Sequence, residues 1–151
     1  PTIQGRHLKV EGKNLSLVKD QKEIKELSPI DNKFYIWASL SPAEDKILFT
    51  AAGDGTYVSD LEGNILHDIG YLNAPQWRNE DWVVGMNDKD DGEQVISSDI
   101  IAVHLGTGKR FNLTQKSDII AQYPKVSPEQ NRIVYHSLEG DVYLMKIRIK
   151  E

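Results

Sequence analysis

The chain of 151 residues contains no cysteine, so disulfide bonds and thiolate chemistry are both excluded. No apolar run approaches the roughly 18 residues that a membrane-spanning helix needs, so membrane insertion is not expected. Cations are outnumbered, 18 Lys and Arg against 23 Asp and Glu, and the net charge is −5. Phosphate binding needs clustered positive charge. The lysines between Lys9 and Lys33 instead alternate with Glu11, Asp20, Glu23 and Glu26. That mixture reads as a solvated strand edge, and no nucleic-acid partner is expected.

The usual anchors of catalysis are missing as well. No Gly-x-Ser-x-Gly elbow holds a serine nucleophile. His7, His67, His104 and His136 fall in different segments, with no pair at metal-ligand spacing. The acid pairs Glu44-Asp45 and Glu80-Asp81 sit where turns are expected, and acids there serve turn hydrogen bonds. No catalytic residue, cofactor or resident metal follows from this sequence, and the chain is not expected to be an enzyme.

What the sequence does contain is a repeat. Residues 40–49 align without a gap to residues 126–135, each with a Ser-Pro dipeptide, a polar turn and an apolar run; 77–84 fits the same frame with one residue deleted. The mean spacing of about 43 residues matches a four-stranded propeller blade. A second apolar run follows each frame, at 56–61, 100–105 and 142–147. These runs are rich in β-branched and aromatic residues and too short for stable helices, so they are read as strands. Turns at Glu62-Gly63-Asn64 and Gly106-Thr107-Gly108 lead to more polar outer strands at 65–69 and 110–113.

The radial order follows from proline. Ala74-Pro75 aligns with Tyr123-Pro124, and proline cannot donate to a central ladder, so these first strands belong at a sheet edge. The second strands, Ile47-Leu48-Phe49, Val83-Val84 and Ile133-Val134-Tyr135, are continuously apolar. Burial on both faces is therefore expected for them. Trp37, Tyr123 and Trp77 are expected to pack between blades.

Ser-Pro, a polar turn, two apolar strands, Asp-x-x-Gly or Gly-Thr-Gly-Lys, and an outer strand ending in Leu-Thr resemble the TolB-like (WD-type) propeller repeat of bacterial periplasmic proteins. The resemblance runs best over residues 75–114 and departs at Arg78-Asn79, which replaces the Ser-Pro dipeptide. It implies an all-β protein of β-propeller blades, each of four antiparallel strands, in a periplasmic or cell-envelope setting.

Three strands at 3–10, 15–18 and 23–27 precede Phe34, and no outer strand follows Ile147. The chain thus reads as one partial propeller domain over 1–151, of about three and a half blades. An incomplete blade covers about 1–30, and further blades cover 34–70, 71–114 and 120–151, the last without its outer strand. Closed propellers use about four to eight blades. A fragment whose incomplete end blades pair in a homodimer is the expectation.

Contact candidates are read from loops. Residues 87–98 form an extended hairpin between the second and third strands of the middle unit, where Asn87, Asp88, Asp90, Asp91 and Asp99 gather. The calcium-loop spacing fails, because Lys89 takes a ligand slot and Ser98 stands where Glu is required, so a solvated loop is favoured over a metal site. Tyr71, Asn73, Asp31 and Asp118 lie in the equivalent loops between outer and inner strands. Asp88, Asp90, Asp91, Tyr71, Asn73, Asp31 and Asp118 are the candidate partner contacts. The expected function is noncatalytic binding of a protein or peptide. The alternatives are the gating propeller of a prolyl-oligopeptidase-like hydrolase, whose catalytic domain lies outside this sequence, and a carbohydrate-active propeller.

Overall fold

Short reversals set the register of every sheet. In the computed structural model, which describes residues 6–27, 29–127, 129 and 131–148, Asp20 and Gln21 both take positive φ, 53° and 66°. That pair forms the two-residue loop whose twist matches the strands it joins. The loop connects β2 (Asn14–Lys19) to β3 (Lys22–Leu27), and β1 (Arg6–Glu11) pairs with β2 on the other side. The next sheet runs β4 (Tyr35–Leu40), β5 (Lys46–Ala51), β6 (Gly55–Asp60) and β7 (Ile65–Gly70), antiparallel throughout and in chain order. Residues 3–5 of the expected first strand lie outside the described residues.

These two sheets make one compact unit, Pro1–Tyr71. Its core joins Leu15 and Leu27 of the first sheet to Tyr35, Ile47, Phe49 and Ala51 of the second. Phe49 is fully buried, meets Tyr35 edge-on at 5.5 Å and stacks on Tyr57 at 5.8 Å. The Tyr35 hydroxyl donates to the Ile30 carbonyl at 2.6 Å, which ties the connection between the sheets to β4. Burial pushes that phenol's pKa up.

The second unit, Leu72–Glu151, repeats the plan. Its first sheet contains β8 (Asn73–Trp77), β9 (Trp82–Asp90), β10 (Val95–His104) and β11 (Arg110–Asn112). Its second contains β12 (Gln122–Val126), β13 (Arg132–His136) and β14 (Val142–Lys146). Ala74, Val84, Met86, Ile100 and Ala102 pack against Ala121, Ile133 and Tyr135. Each of the larger side chains contributes about 1.5 to 3 kcal/mol by leaving water.

The strand count and order agree with the repeat, and Pro75 and Pro124 lie on edge strands β8 and β12. Two expectations need correction. Burial on both faces holds for β5 and for Val83 and Val84, but Val134 of β13 is 40% exposed while Ile133 and Tyr135 are buried. Among the described residues, the far face of the last sheet is open, so its apolar run is buried on one side only. Trp37 and Tyr123 do not fill the core either: they are 38% and 46% exposed. Leu40 and Val126, three residues further on, take the packing role.

Candidate functional site

A kink recurs in the edge strand of three sheets. Trp37, Ala74 and Tyr123 occupy equivalent positions in β4, β8 and β12, and all have positive φ, 52°, 48° and 50°. Each coincides with a break in register, between Ile36 and Ser39, Asn73 and Gln76, and Gln122 and Lys125. A left-handed conformation strains bulky L-residues, and the proline that follows two of them disfavours the α region as well. The bulge turns Trp37 and Tyr123 out of the sheet, which explains why they are exposed. Sequence alignment placed these residues on the right strands. It carried no signal for the bulge.

The other end of the edge strand explains the serine of the Ser-Pro dipeptide. Ser41 Oγ accepts the Lys46 amide at 3.1 Å and donates to Asp45 Oδ1 at 3.0 Å. Ser127 Oγ accepts the equivalent Arg132 amide at 3.2 Å. Where Arg78-Asn79 replaces the dipeptide, Asn79 Oδ1 accepts the amides of Asp81 and Trp82 at 2.8 and 2.9 Å. The turn is preserved by a different acceptor one position later. Glu44 does more than serve its turn: it is only 6% exposed, has a φ of 60°, and places Oε1 3.8 Å from Arg6 Nε.

In the second unit, the hairpin expected as a loop over 87–98 is largely ladder. β9 and β10 pair from Trp82 and His104 out to Asp90 and Val95, with a bulge between Val95 and Ser97. The turn at its tip is closed by Asp91, whose Oδ1 accepts the Glu93 and Gln94 amides at 3.0 Å. Those backbone donors hold the Asp91 carboxyl below the usual carboxylate range. Asp90 accepts the Gly92 amide. Asp88 Oδ1 accepts from Asn73 Nδ2 at 2.8 Å, and Asp99 Oδ1 from Thr114 Oγ1 at 2.7 Å. The carboxylates are thus bound to separate partners, and no cluster of metal-ligating side chains occurs among the described residues.

The structure therefore joins two of the candidate contacts, Asp88 and Asn73, at the base of this arm. Asp90 and Asp91 lie exposed at its tip, and Asp118 is exposed on the connection before β12. Tyr71 and Asp31 are exposed residues of the first unit. Beside the arm, the Tyr123 amide meets Met86 Sδ at 3.4 Å and the Tyr123 ring stacks on His136 at 5.5 Å. His136 Nδ1 bonds the Ser137 carbonyl at 2.9 Å, which leaves Nε2 as the acceptor of the neutral ring. The Tyr123 and His136 pair was not read as a site from the sequence, since its members are 13 positions apart on different strands.

No protein-family model matches the chain, and no curated protein sequence matches it. Solved structures do. The crystal structure of the computationally designed Ika4 protein matches with a TM-score of 0.68 at 11% identity, covering 97% of this chain and 88% of that one. The WD40 β-propeller domain of Doa1 matches with a TM-score of 0.61 at 13% identity, again over 97% of this chain. This chain is an all-β protein built of β-propeller blades. It spans 52% of the Doa1 chain it matches. Identities this low establish the fold alone.

Proposed function

We propose that the chain is a noncatalytic β-propeller module that binds a protein or peptide. The carrying observation is the β9–β10 arm. The equivalent hairpins close over residues 51–55 and 136–142, whereas this one continues as paired strands to an acidic tip with Ile96 exposed. Rigid strands that lift a side chain into solvent are a low-entropy way to present a contact. Tyr123 and His136 extend the surface with a stacked aromatic pair, a residue type favoured at interfaces. The TolB-like resemblance over residues 75–114 supports a bacterial envelope setting, with an envelope protein as partner.

Selection of binders from a random peptide library tests the reading. Peptides that bind the intact chain are expected to lose affinity for a variant in which a two-residue turn replaces residues 88–98, and for Tyr123→Ala, with both variants still folded. Selected peptides that bind all three forms equally would remove the proposed surface. Fractionation of the source cells tests the setting, and recovery in the cytoplasm would reject it. Val134, Val142 and Leu144 on the open face of the last sheet support pairing with a second copy. Light scattering that finds only monomer at high concentration would reject that pairing.

A further inference from the structure

A cleft of about 340 Å³ opens between the two sheets of the second unit, away from the arm. Its walls are apolar: Trp82 of β9, Phe111 of β11, Leu113 and Ile147, with the Trp82 and Phe111 rings 5.6 Å apart. Two arginines, Arg78 and Arg148, complete its lining.

Arg78 is the unusual member. Its backbone is fixed, because its amide donates to the Trp82 carbonyl at 2.9 Å and so holds the side chain at the cleft. Its Nε is shielded from solvent and has no hydrogen-bond partner among the described residues. Burial alone draws its pKa below the usual arginine value. Arg78 is half-buried, and a guanidinium nitrogen shielded from water without a partner is costly. A carboxylate is the group whose two oxygens match the guanidinium fork.

The surroundings fix the sign of the ligand. A neighbouring depression shares Ile147 and Arg148 with the cleft and adds Arg132 and Lys146. Among the described residues, no acid lines either one. Four cations therefore meet at one corner of a chain whose net charge is −5. The apolar walls fix the rest: a bare inorganic anion would leave Trp82, Phe111 and Leu113 uncovered. The volume falls in the range of small-molecule sites.

We propose that this cleft binds a carboxylate that carries an apolar body, its oxygens on the Arg78 guanidinium and its body against Trp82, Phe111 and Leu113. A small aryl or aliphatic acid and the free C-terminus of a peptide ending in an apolar residue share that chemistry. This site is separate from the β9–β10 arm, so either proposal stands if the other fails.

The test titrates the 151-residue chain with 3-phenylpropionate, its amide, a pentapeptide ending in Phe as free acid and as C-terminal amide, and inorganic phosphate. Tryptophan fluorescence, in which Trp82 contributes with Trp37 and Trp77, is the first readout, and ligand-observed NMR the second. At least one free acid is expected to bind saturably, its amide about tenfold or more weaker, and phosphate not to compete. The tighter of the two free acids identifies the source of the carboxylate. Arg78→Gln is expected to abolish the difference between acid and amide, and Arg78→Lys to restore part of it; Arg148→Gln serves if the first variant does not fold. Equal binding of acid and amide, undiminished acid binding to Arg78→Gln, or competition by phosphate would each overturn the proposal. So would self-association that fills the cleft, seen as a doubled mass that Val134→Lys on the open sheet face leaves intact and 3-phenylpropionate does not reverse.

Discussion

Leu72 packs against the bare Cα of Gly85, so closely that a β-carbon at position 85 would lie 2.5 Å from Leu72 Cγ and 2.8 Å from the Asn73 carbonyl oxygen. Gly85 lies inside β9, where a glycine ordinarily weakens a strand. Here its absent side chain makes room for a fully buried leucine. The backbone contact leaves little freedom to relax.

Gly85→Ala is therefore expected to cost about 2 kcal/mol or more through overpacking. Thermal unfolding followed by circular dichroism should show a fall of about 4 to 8 °C, at about 2 to 4 °C per kcal/mol for a chain of this size. Leu72→Ala in the same molecule should recover part of the loss, because neighbouring substitutions are not additive. An unchanged transition in Gly85→Ala would show that β8 and β9 do not approach as described.

The turn serines should rank by burial. Ser41 is buried and its hydroxyl serves the Asp45 and Lys46 amides and Asp45 Oδ1, whereas Ser127 is half-buried and serves chiefly the Arg132 amide. Ser41→Ala is expected to cost about 1 to 2 kcal/mol and Ser127→Ala about 0.5 kcal/mol, since only the first leaves its partners away from water. Asn79→Ala should fall between the two, since Asn79 is half-buried but serves the amides of both Asp81 and Trp82. Chemical denaturation measures the ranking, and a reversed order would refute it.

Tyr57 gives a pH dependence with a defined sign. Its hydroxyl donates to Asp54 Oδ1 at 2.8 Å, and that hydrogen bond, with smaller help from burial and nearby charge, pushes its pKa up to about 12. Folding favours the protonated phenol, so this contribution is fully present below pH 10 and fades as pH rises toward 12. Absorbance at the phenolate band should show Tyr57 ionising last, and Asp54→Ala should bring its midpoint down toward 10. No shift in Asp54→Ala would exclude the hydrogen bond as the cause. Asp60 responds at the other end of the scale. Its bonds from Asn64 and the turn amides hold it below 3.8, so its contribution is lost as pH falls below that value.

Two aromatic residues of the first unit should respond in opposite ways. Phe49 is fully buried between Tyr35 and Tyr57, and Phe49→Ala is expected to cost about 3 to 5 kcal/mol. Trp37 is exposed with a φ of 52°. Trp37→Gly relieves about 1 kcal/mol of left-handed strain, which roughly offsets the extra freedom glycine gives the unfolded chain. Its stability is expected to stay within about 1 kcal/mol of the parent, by denaturant titration. A loss as large as that of Phe49→Ala would mean that the indole is a core residue after all.

The spacing of apolar runs, turn residues and prolines was enough to place the fourteen strands found among the described residues, with Pro75 and Pro124 at sheet edges. These are local properties: a short apolar run rich in β-branched and aromatic residues, a φ that glycine tolerates, a missing N–H. Even the departure at Arg78-Asn79 kept its turn, because Asn79 supplies the acceptor within the same few residues.

Other features depended on which strands come together in space. Residues 87–98 look like a polar loop, yet Asp88 faces Ser98 across a ladder and bonds Asn73 from a third strand. Val134 belongs to an apolar run like that of Val84, and only the lack of a packed sheet on its far side, among the described residues, leaves it exposed. Arg78 is one of 18 cations in composition, and its burial beside Trp82 and Ile147 arises from the meeting of two sheets. Local patterning fixes where strands and turns fall, but not the bulge at Trp37, Ala74 and Tyr123. Burial, partnership and charge environment are set by segments far apart in the chain, and the chemistry of the candidate sites lies in those contacts.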